Sequence, residues 1–317
     1  MTRVAYLFPG QGSQKVGMGR SLAEACSAAQ HAIELASHVA GFDVAELCFE
    51  GPDDRLRSTQ NAQLALYVCS VAAVRCLQEH WQVQPFAAAG HSVGEYAALT
   101  AAGALEFEDG VRLVMRRGEL MAEAAAANPG SMAAVLGLTA EVVTGICSEV
   151  RAAGGGVVVP ANLNGAGQVV ISGSAEAVAN ASERAKLQGA RKILPLAVSG
   201  AFHSPLMVRA GDQLYATLAV TGFRKPACAV LSNVTAQPVE TPADIIGGLT
   251  QQVSGTVRWE ETMQWLVDRE VNITIEFGSG EVLTNLAKRT VPGVQAIAVN
   301  SAATLQAAVQ ALQEQAA

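Results

Sequence analysis

The amino-acid sequence predicts an α/β protein in which a large domain with a parallel sheet carries a smaller inserted domain. Short apolar segments typical of buried strands alternate with longer helical segments along most of the 317 residues. Between residues 130 and 197 the predicted order changes to strand, helix, strand, strand, helix, strand, which is the order of a ferredoxin-like unit. We therefore expect the large domain at 1–129 and 198–317 and the small domain at 130–197.

Composition narrows the functional classes. The formal net charge of −7 argues against broad nucleic-acid binding. We expect no membrane-spanning helix, because no apolar run of about 20 residues is free of charge, and the N-terminal apolar stretch is too short for a signal peptide. The six cysteines lack C-x-x-C spacing and are interpreted as reduced, which predicts a cytoplasmic protein. The five histidines form no H-x-x-x-H pattern, so we expect no metal site.

The first part of the large domain is predicted to begin with a strand at 4–8 and a polar, glycine-containing loop at 9–14. The backbone N–H groups of such a loop often form an anion or oxyanion site, and a plain strand-to-helix turn is the alternative. Residues 20–50 are expected to be helical, with a break near Gly41. A long, mostly apolar helix is predicted over 61–80.

A serine between two glycines follows, and it is the strongest local signal in the chain. Gly90 and Gly94 each lie two residues from Ser92, between a short apolar strand and a segment of helix formers. This is the G-x-S-x-G elbow, in which a strained turn exposes the serine hydroxyl, and it favours an α/β-hydrolase-like large domain. The glycines are needed because side chains there would collide with the adjoining strand and helix. The alternative is a glycine-rich turn with a capping serine.

The next predicted helix, over 109–127, carries arginines among apolar residues. Arg112 and Arg116 are four residues apart and share one face, whereas Arg117 lies about 100° further round the helix. We expect one of the two neighbouring arginines to be solvated and the other to face inward. Two solvated surface arginines are the alternative.

The small domain and the second part of the large domain complete the predicted element order. In the small domain we expect strands at 132–138, 157–163, 168–173 and 191–196, and helices at 139–153 and 175–188. In the second part of the large domain we expect strands at 229–232, 273–278 and 294–299, with helices ending near Arg269, over 281–289 and at the end of the chain.

His203 is the best candidate for the base that a serine nucleophile requires. It lies in a turn of small and apolar residues just after the inserted domain, where a cleft between domains would form. His91 adjoins Ser92 along the turn, so its side chain should project elsewhere. No Asp or Glu is an obvious third member, but a backbone carbonyl can also orient an imidazole. A purely structural role is the alternative for a lone histidine.

Several motifs in this order and spacing resemble the malonyl-CoA:acyl carrier protein transacylase family, which includes discrete acyltransferases of fatty acid and polyketide synthesis. The resemblance extends over nearly the whole chain, from the first strand to Gly278–Leu283. The motifs that carry it are Phe8–Gln14, Gly90–Tyr96, Arg117-Gly118, Asn162–Asn164, Gln168–Gly173 and Phe202–Met207.

The resemblance implies roles for individual residues. Ser92 would be the nucleophile and His203 its general base. Arg117 would pair with the malonyl carboxylate, which suits the two parallel donors of a guanidinium. Gln11 and Val93 would supply the oxyanion-hole amides.

Further roles are implied for residues around these. Gln252 would hold the histidine base through its backbone carbonyl. Because Gln251 is adjacent, the carbonyl of Gln251 is an alternative partner for the imidazole. Phe202 beside the acyl pocket would oppose an α-methyl branch, with a graded selectivity of about 1–3 kcal/mol. His91 would support the site without touching the substrate. One departure from the family pattern is that Leu64 follows Gln63 where proline is expected.

The resemblance implies a ping-pong reaction in which malonyl-CoA acylates the serine and the phosphopantetheine thiol of an acyl carrier protein collects the malonyl group. It implies no bound cofactor and favours a monomer. Three alternatives remain: a serine acyl hydrolase acting on carrier-protein thioesters, a malonyltransferase subunit of a malonate decarboxylase, and an inactive carrier-protein docking scaffold. Because carrier proteins of this kind are acidic, we expect them to dock on a local basic patch drawn from Arg184, Lys186, Arg191, Lys192, Lys288 and Arg289.

Overall fold

The structure is a computed structural model that describes residues 2–82 and 84–316. Its strands, numbered in chain order, are β1 (Val4–Phe8), β2 (Ala87–Gly90), β3 (Ser131–Leu136), β4 (Val158–Gly165), β5 (Gln168–Gly173), β6 (Lys192–Pro195), β7 (Ala229–Leu231), β8 (Pro238–Val239), β9 (Ile273–Phe277) and β10 (Gln295–Val299).

The helices lie between these strands and cover them. They are α1 (Arg20–Ala25), α2 (Ser27–Ala40), α3 (Val44–Phe49), α4 (Asp53–Arg57), α5 (Thr59–His80), α6 (Gly94–Ala101), α7 (Phe107–Ala127), α8 (Ala140–Ala152), α9 (Ala175–Leu187), α10 (Val208–Leu218), α11 (Pro242–Gln252), α12 (Trp259–Asp268), α13 (Val282–Thr290) and α14 (Ala302–Ala316).

The larger sheet has the strand order β10–β9–β1–β2–β7–β8. Each neighbouring pair is parallel except β7 and β8, which are antiparallel. Parallel strands are mostly apolar because helices cover both of their faces, and all the residues of β2 are buried. The register pairs Phe8 with Gly90, so the loop after β1 and the elbow after β2 begin side by side at the same edge of the sheet.

The second sheet is formed only from residues between Ser131 and Pro195 and has the order β4–β5–β3–β6, with every pair antiparallel. Helices α8 and α9 pack on it and close a separate apolar core that includes Val135, Ile146 and Ile171. The element order βαββαβ and this strand order are those of a ferredoxin-like unit. The predicted fold class, a parallel α/β sheet with an inserted ferredoxin-like unit, is confirmed.

Some local predictions differ from the structure. The region 20–50 contains three helices rather than one broken helix, because the helical conformation is interrupted at Cys26 as well as at Gly41. The short strand β8 and the helix α11 have no counterpart in the predicted elements. A capping box at Thr241 and Asp244 starts α11, and this local signal could have located the helix.

The cysteines also differ from expectation. Cys26 and Cys76 form a disulfide whose Cα atoms are 6.0 Å apart, so the prediction that all six cysteines are reduced is wrong for this pair. Cys48, Cys69, Cys147 and Cys228 are free. None of the helices in the described part of the chain has the length and apolar character needed to span a membrane.

Candidate active site

The elbow between β2 and α6 forces Ser92 into a strained backbone conformation. Its φ of 53° lies in the left-handed region, which a residue with a side chain adopts at a cost. A Cβ on Gly90 would overlap the backbone of Gly94, and a Cβ on Gly94 would overlap the carbonyl of Phe8. The glycines therefore let β1, β2 and α6 approach closely enough to present Ser92 Oγ at the sheet edge.

His203 meets the serine from the loop before α10. Its Nε2 lies 2.8 Å from Ser92 Oγ. Its Nδ1 lies 2.8 Å from the carbonyl oxygen of Gln252 and 3.1 Å from that of Gly255, so Nδ1 carries the proton and donates it to these acceptors. Nε2 is then left as the acceptor for the serine hydroxyl. The carbonyl of Gln252, not that of Gln251, contacts the ring. The second contact, with the carbonyl of Gly255, was not predicted.

The surroundings of His203 keep its ring neutral. The ring is buried, with the residue only 3% exposed. Burial lowers the pKa of His203 to about 3, and the positive charge of Arg117 contributes in the same direction. A ring that stays unprotonated over the physiological range is able to accept a proton from Ser92.

Arg117 reaches the same point from α7. It is 1% exposed, and its Nη2 donates to Ser92 Oγ at 3.0 Å and to Gln252 Oε1 at 2.9 Å. Its Nη1 donates to Gln63 Oε1 at 2.6 Å. Burial lowers the pKa of the Arg117 guanidinium. Arg116, by contrast, points outward and pairs with Glu119 at 3.1 Å, so the inward arginine of the two is Arg117.

Two residues absent from the predicted site tie the elbow together. Asn233 follows β7; its Oδ1 accepts from the Ser92 amide at 2.7 Å and its Nδ2 donates to the Gly90 carbonyl at 2.6 Å. Glu95, in the first turn of α6, accepts through Oε2 from the Asn233 amide at 3.0 Å and from Gln252 Nε2 at 2.7 Å. Glu95 lies inside the elbow motif itself and could have been singled out there, whereas Asn233 has no local signal.

His91 points away from the serine, as its place in the turn predicts. Its Nε2 lies 2.9 Å from Oδ1 of Asn164, which belongs to β4 of the antiparallel sheet. Its ring packs 5.5 Å, centre to centre, from that of Trp259, and burial lowers its pKa. His91 thus joins the elbow to the second sheet.

A cleft opens above Ser92 between the two sheets. Gln11 and Val93 flank its floor, and no loop carbonyl or side chain among the described residues accepts from either backbone N–H. Phe202 lies on its wall. The cleft is also lined by Gln63, Met121, Met132, Asn162, Leu196 and Val198. Gln63 is buried near the start of α5, and Leu64, which takes the place of the expected proline, continues that helix.

The structure therefore brings most of the predicted site residues to one place. Ser92 contacts both His203 and Arg117 directly, and Gln252 also contacts both His203 and Arg117. The remaining predicted residues, Gln11, Val93, Phe202 and His91, line the same cleft. Among the residues that the structure describes, no group of three or more His, Cys, Asp or Glu side chains is placed to hold a metal ion.

The fold and the contact between Ser92 and His203 define a class: α/β proteins that present a serine at a strand-to-helix elbow to a buried histidine. Residues 5–315 match the acyl transferase domain family, and the chain belongs to that family. The family resemblance predicted from the motifs is confirmed.

Similar proteins cover almost the entire chain. The malonyl CoA-acyl carrier protein transacylase of Bacillus subtilis (strain 168) is 42% identical over 315 residues, which span 99% of each chain. The crystal structure of an acyl-carrier-protein-S-malonyltransferase from Bartonella henselae is 40% identical, with a TM-score of 0.94 over 98% of this chain and 100% of that one. A structure of a type II PKS acyl-carrier protein in complex with its malonyl-transacylase matches with the same TM-score of 0.94, identity of 40% and coverage.

Proposed function

We propose that this chain transfers the malonyl group of malonyl-CoA to the phosphopantetheine thiol of an acyl carrier protein through a malonyl ester of Ser92. The observation that carries the proposal is the placement of the buried Arg117 guanidinium 3.0 Å from Ser92 Oγ, which is itself 2.8 Å from His203. A cation beside the nucleophile suits an acyl group that carries its own carboxylate. The names of the similar proteins support the same substrate and acceptor.

The first half-reaction loads the serine. His203 Nε2 takes the proton of Ser92 Oγ as the oxygen attacks the thioester carbonyl of malonyl-CoA. The tetrahedral intermediate collapses, the C–S bond breaks, and the proton on His203 passes to the leaving CoA sulfur. In the second half, His203 removes the proton of the pantetheine thiol, and the sulfur attacks the carbonyl carbon of the malonyl ester. The bond between that carbon and Ser92 Oγ then breaks, and the proton returns to Ser92 Oγ.

The backbone N–H groups of Gln11 and Val93 serve as the oxyanion hole in this proposal. Both flank the cleft floor beside Ser92, and no other acceptor among the described loops and side chains competes for them. Preorganised amides of this kind stabilise the negative charge that develops on the carbonyl oxygen. His91 supports the elbow through its contact with Asn164.

Arg117 and Phe202 select the acyl group. The Arg117 donors that now contact neutral groups would bind the malonyl carboxylate, whose desolvation in the cleft is otherwise costly. Phe202 narrows the cleft wall where an α-methyl branch would lie. Gln252 holds the Nδ1 side of His203 through its carbonyl.

The domain division is part of the proposal. Residues 130–197 form the inserted small domain, and residues 1–129 and 198–317 form the large one, so that the cleft lies between them. The separate core of the second sheet supports this division. We further propose that the enzyme acts as a monomer without a bound cofactor, as the family resemblance implies. We also propose a cytoplasmic location, which the four free cysteines support, although the disulfide between Cys26 and Cys76 does not.

Intact-mass spectrometry tests the reaction. Wild-type protein mixed with malonyl-CoA should gain one malonyl group and pass it to an added holo carrier protein, whereas Ser92→Ala should gain none. Ser182→Ala is the matched control, because Ser182 is also buried but only donates to the carbonyl of Val178 in α9. Release of free malonate without transfer would indicate a hydrolase, and an unmodified wild-type protein would indicate a docking scaffold.

A further inference from the structure

The charge of Arg117 is buried without direct contact to a carboxylate. Within the described residues, its hydrogen bonds go to Gln63, Ser92 and Gln252, which are neutral. An isolated charge with 1% exposure is costly unless a counter-charge lies near. A directly bound carboxylate would, however, occupy the donors that a substrate carboxylate needs.

Glu95 is the nearby buried carboxylate, and one side chain separates it from Arg117. Glu95 is 2% exposed, and its charge interacts favourably with that of Arg117. The Gln252 amide lies between them: its Nε2 donates to Glu95 Oε2 at 2.7 Å, and its Oε1 accepts from Arg117 Nη2 at 2.9 Å.

The surroundings of Gln252 fix which way its amide points. Nε2 faces three oxygens: Glu95 Oε2, the Ser92 carbonyl at 2.9 Å and Asn233 Oδ1 at 3.4 Å. If the amide were turned over, Oε1 would face these acceptors and Nε2 would face the guanidinium donor of Arg117. An ionised carboxylate only accepts hydrogen bonds, so Glu95 strongly disfavours the turned amide.

We propose that Glu95 is a positioning residue for the acyl transfer. Its carboxylate holds the Gln252 side chain with Oε1 toward Arg117 and supplies the buried counter-charge to the guanidinium. Because the amide stands between the two charges, the guanidinium keeps donors for the substrate carboxylate. This inference rests on the proposed function, in which Arg117 binds the malonyl group.

The kinetic test compares a carboxylate-containing acyl donor with a neutral reagent for the same serine. Glu95→Gln should lower kcat/KM for malonyl loading about tenfold, a size typical of coupled side chains in one network. Labelling of Ser92 by a neutral fluorophosphonate should change less than about twofold, since that reaction needs Ser92 and His203 but no bound carboxylate. In an Arg117→Ala background, Glu95→Gln should add no further loss.

A matched control separates positioning from simple destabilisation. Glu276 is another buried carboxylate, 1% exposed, that accepts from the amides of Leu283 and Thr284 at the start of α13. Glu276→Gln should change thermal stability without changing the ratio of malonyl loading to fluorophosphonate labelling. If Glu95→Gln does not fold, Gln252→Met tests the same connection between Glu95 and Arg117. This variant removes the side-chain amide but keeps the backbone carbonyl that contacts His203.

The pH profile of single-turnover loading gives a second readout. Burial raises the pKa of Glu95 to about 7, so wild-type loading should rise across about pH 6 to 8 as the carboxylate forms. The other titratable groups facing this network are Arg117, His203, His91 and Tyr96. Burial lowers the pKa of His203 to about 3, lowers those of His91 and Arg117, and raises that of Tyr96. The rise should disappear in Glu95→Gln.

The outcomes distinguish a failure of the Glu95 positioning role from a failure of the proposed malonyl transfer. Equal losses of malonyl loading and fluorophosphonate labelling in folded Glu95→Gln would overturn the positioning role. An unchanged loading rate or an unchanged pH rise would overturn it as well. If Arg117→Ala abolishes the preference for malonyl while Glu95→Gln has no effect, only this inference fails. If wild-type protein takes up no malonyl group, the proposed function itself fails.

Discussion

The two sides of the cleft are built in different ways. On the side of the parallel sheet, Ser92, Arg117 and His203 form one connected hydrogen-bond network, and the arginine and histidine are almost fully buried. On the side of the antiparallel sheet, the wall is mostly apolar, and its polar contribution comes from Asn162, Asn164 and Gln168.

Hydrogen bonds also join the two sides. His91 contacts Asn164 across the cleft, and the Leu163 amide donates to the Val257 carbonyl at 2.9 Å. Reacting groups therefore belong to the side where strand ends and an elbow fix their positions, while the other side shapes the cavity. A rigid network places chemistry with the accuracy that catalysis needs, so substitutions on the two sides should have unequal effects.

The largest effect is expected for Arg117 on the parallel-sheet side. Arg117→Ala should lower malonyl loading about a hundredfold or more, because a buried substrate carboxylate would be left without its partner. Acetyl loading should fall much less. Arg116→Ala is the matched control: its side chain is exposed and pairs with Glu119, so loading should stay within about twofold of wild type. Equal losses for malonyl and acetyl groups would contradict the carboxylate role.

A smaller effect is expected on the antiparallel-sheet side. Asn164→Leu removes the acceptor that faces His91 Nε2 and should cost about 1 kcal/mol of unfolding free energy, as for other lost hydrogen bonds. Loading should fall only about fivefold, since Ser92 and His203 keep their contact. Urea denaturation and single-turnover loading measure the two quantities.

The control for this change lies in the same small sheet unit. Asn180 is exposed and its Oδ1 accepts from Arg184 Nε on α9. Asn180→Ala should leave both loading and unfolding free energy close to wild type. A loss of loading in Asn164→Leu as large as that in Arg117→Ala would show that the two sides share the chemistry.

Local patterns were sufficient where the physical cause is local. The glycines around Ser92 are required by close backbone approach, so the elbow could be read from the residues alone. The helical periodicity of α7 places Arg116 and Arg117 on different faces, but it does not indicate which of them faces inward. The family resemblance identified Arg117 as the inward one. The ferredoxin-like unit followed from element order.

Contacts between distant segments could not be predicted in this way. Asn233 reaches Gly90 and Ser92 across 143 and 141 residues of sequence, and nothing near Asn233 marks it. The second carbonyl on His203, from Gly255, depends on how the chain turns after α11. That helix was itself missed, so the turn could not be placed. These features arise from tertiary packing, which strand and helix periodicities do not encode.

The smallest effect concerns the predicted basic patch, whose members the structure separates between the two sides. Arg184 and Lys186 lie on the small unit and pair with Glu149 at 3.2 Å and with Glu183 at 2.6 Å. Lys288 and Arg289 lie at the end of α13. Other residues of this helix, Val282, Leu283 and Leu286, line the cleft mouth. Among the described residues, no carboxylate lies within 4.0 Å of Lys288 or Arg289.

An acidic carrier protein should therefore depend on the cations of α13 more than on those of α9. The double variant Lys288→Glu with Arg289→Glu should raise the KM for carrier protein about fivefold at low salt and leave loading from malonyl-CoA unchanged. Added salt should reduce the difference in KM between this variant and wild type, because exposed charges are screened. Arg184→Glu with Lys186→Glu is the matched pair and should raise the KM less, since those cations are already neutralised. A larger rise for the α9 pair would move docking to the small unit, and no rise in either would contradict the basic patch.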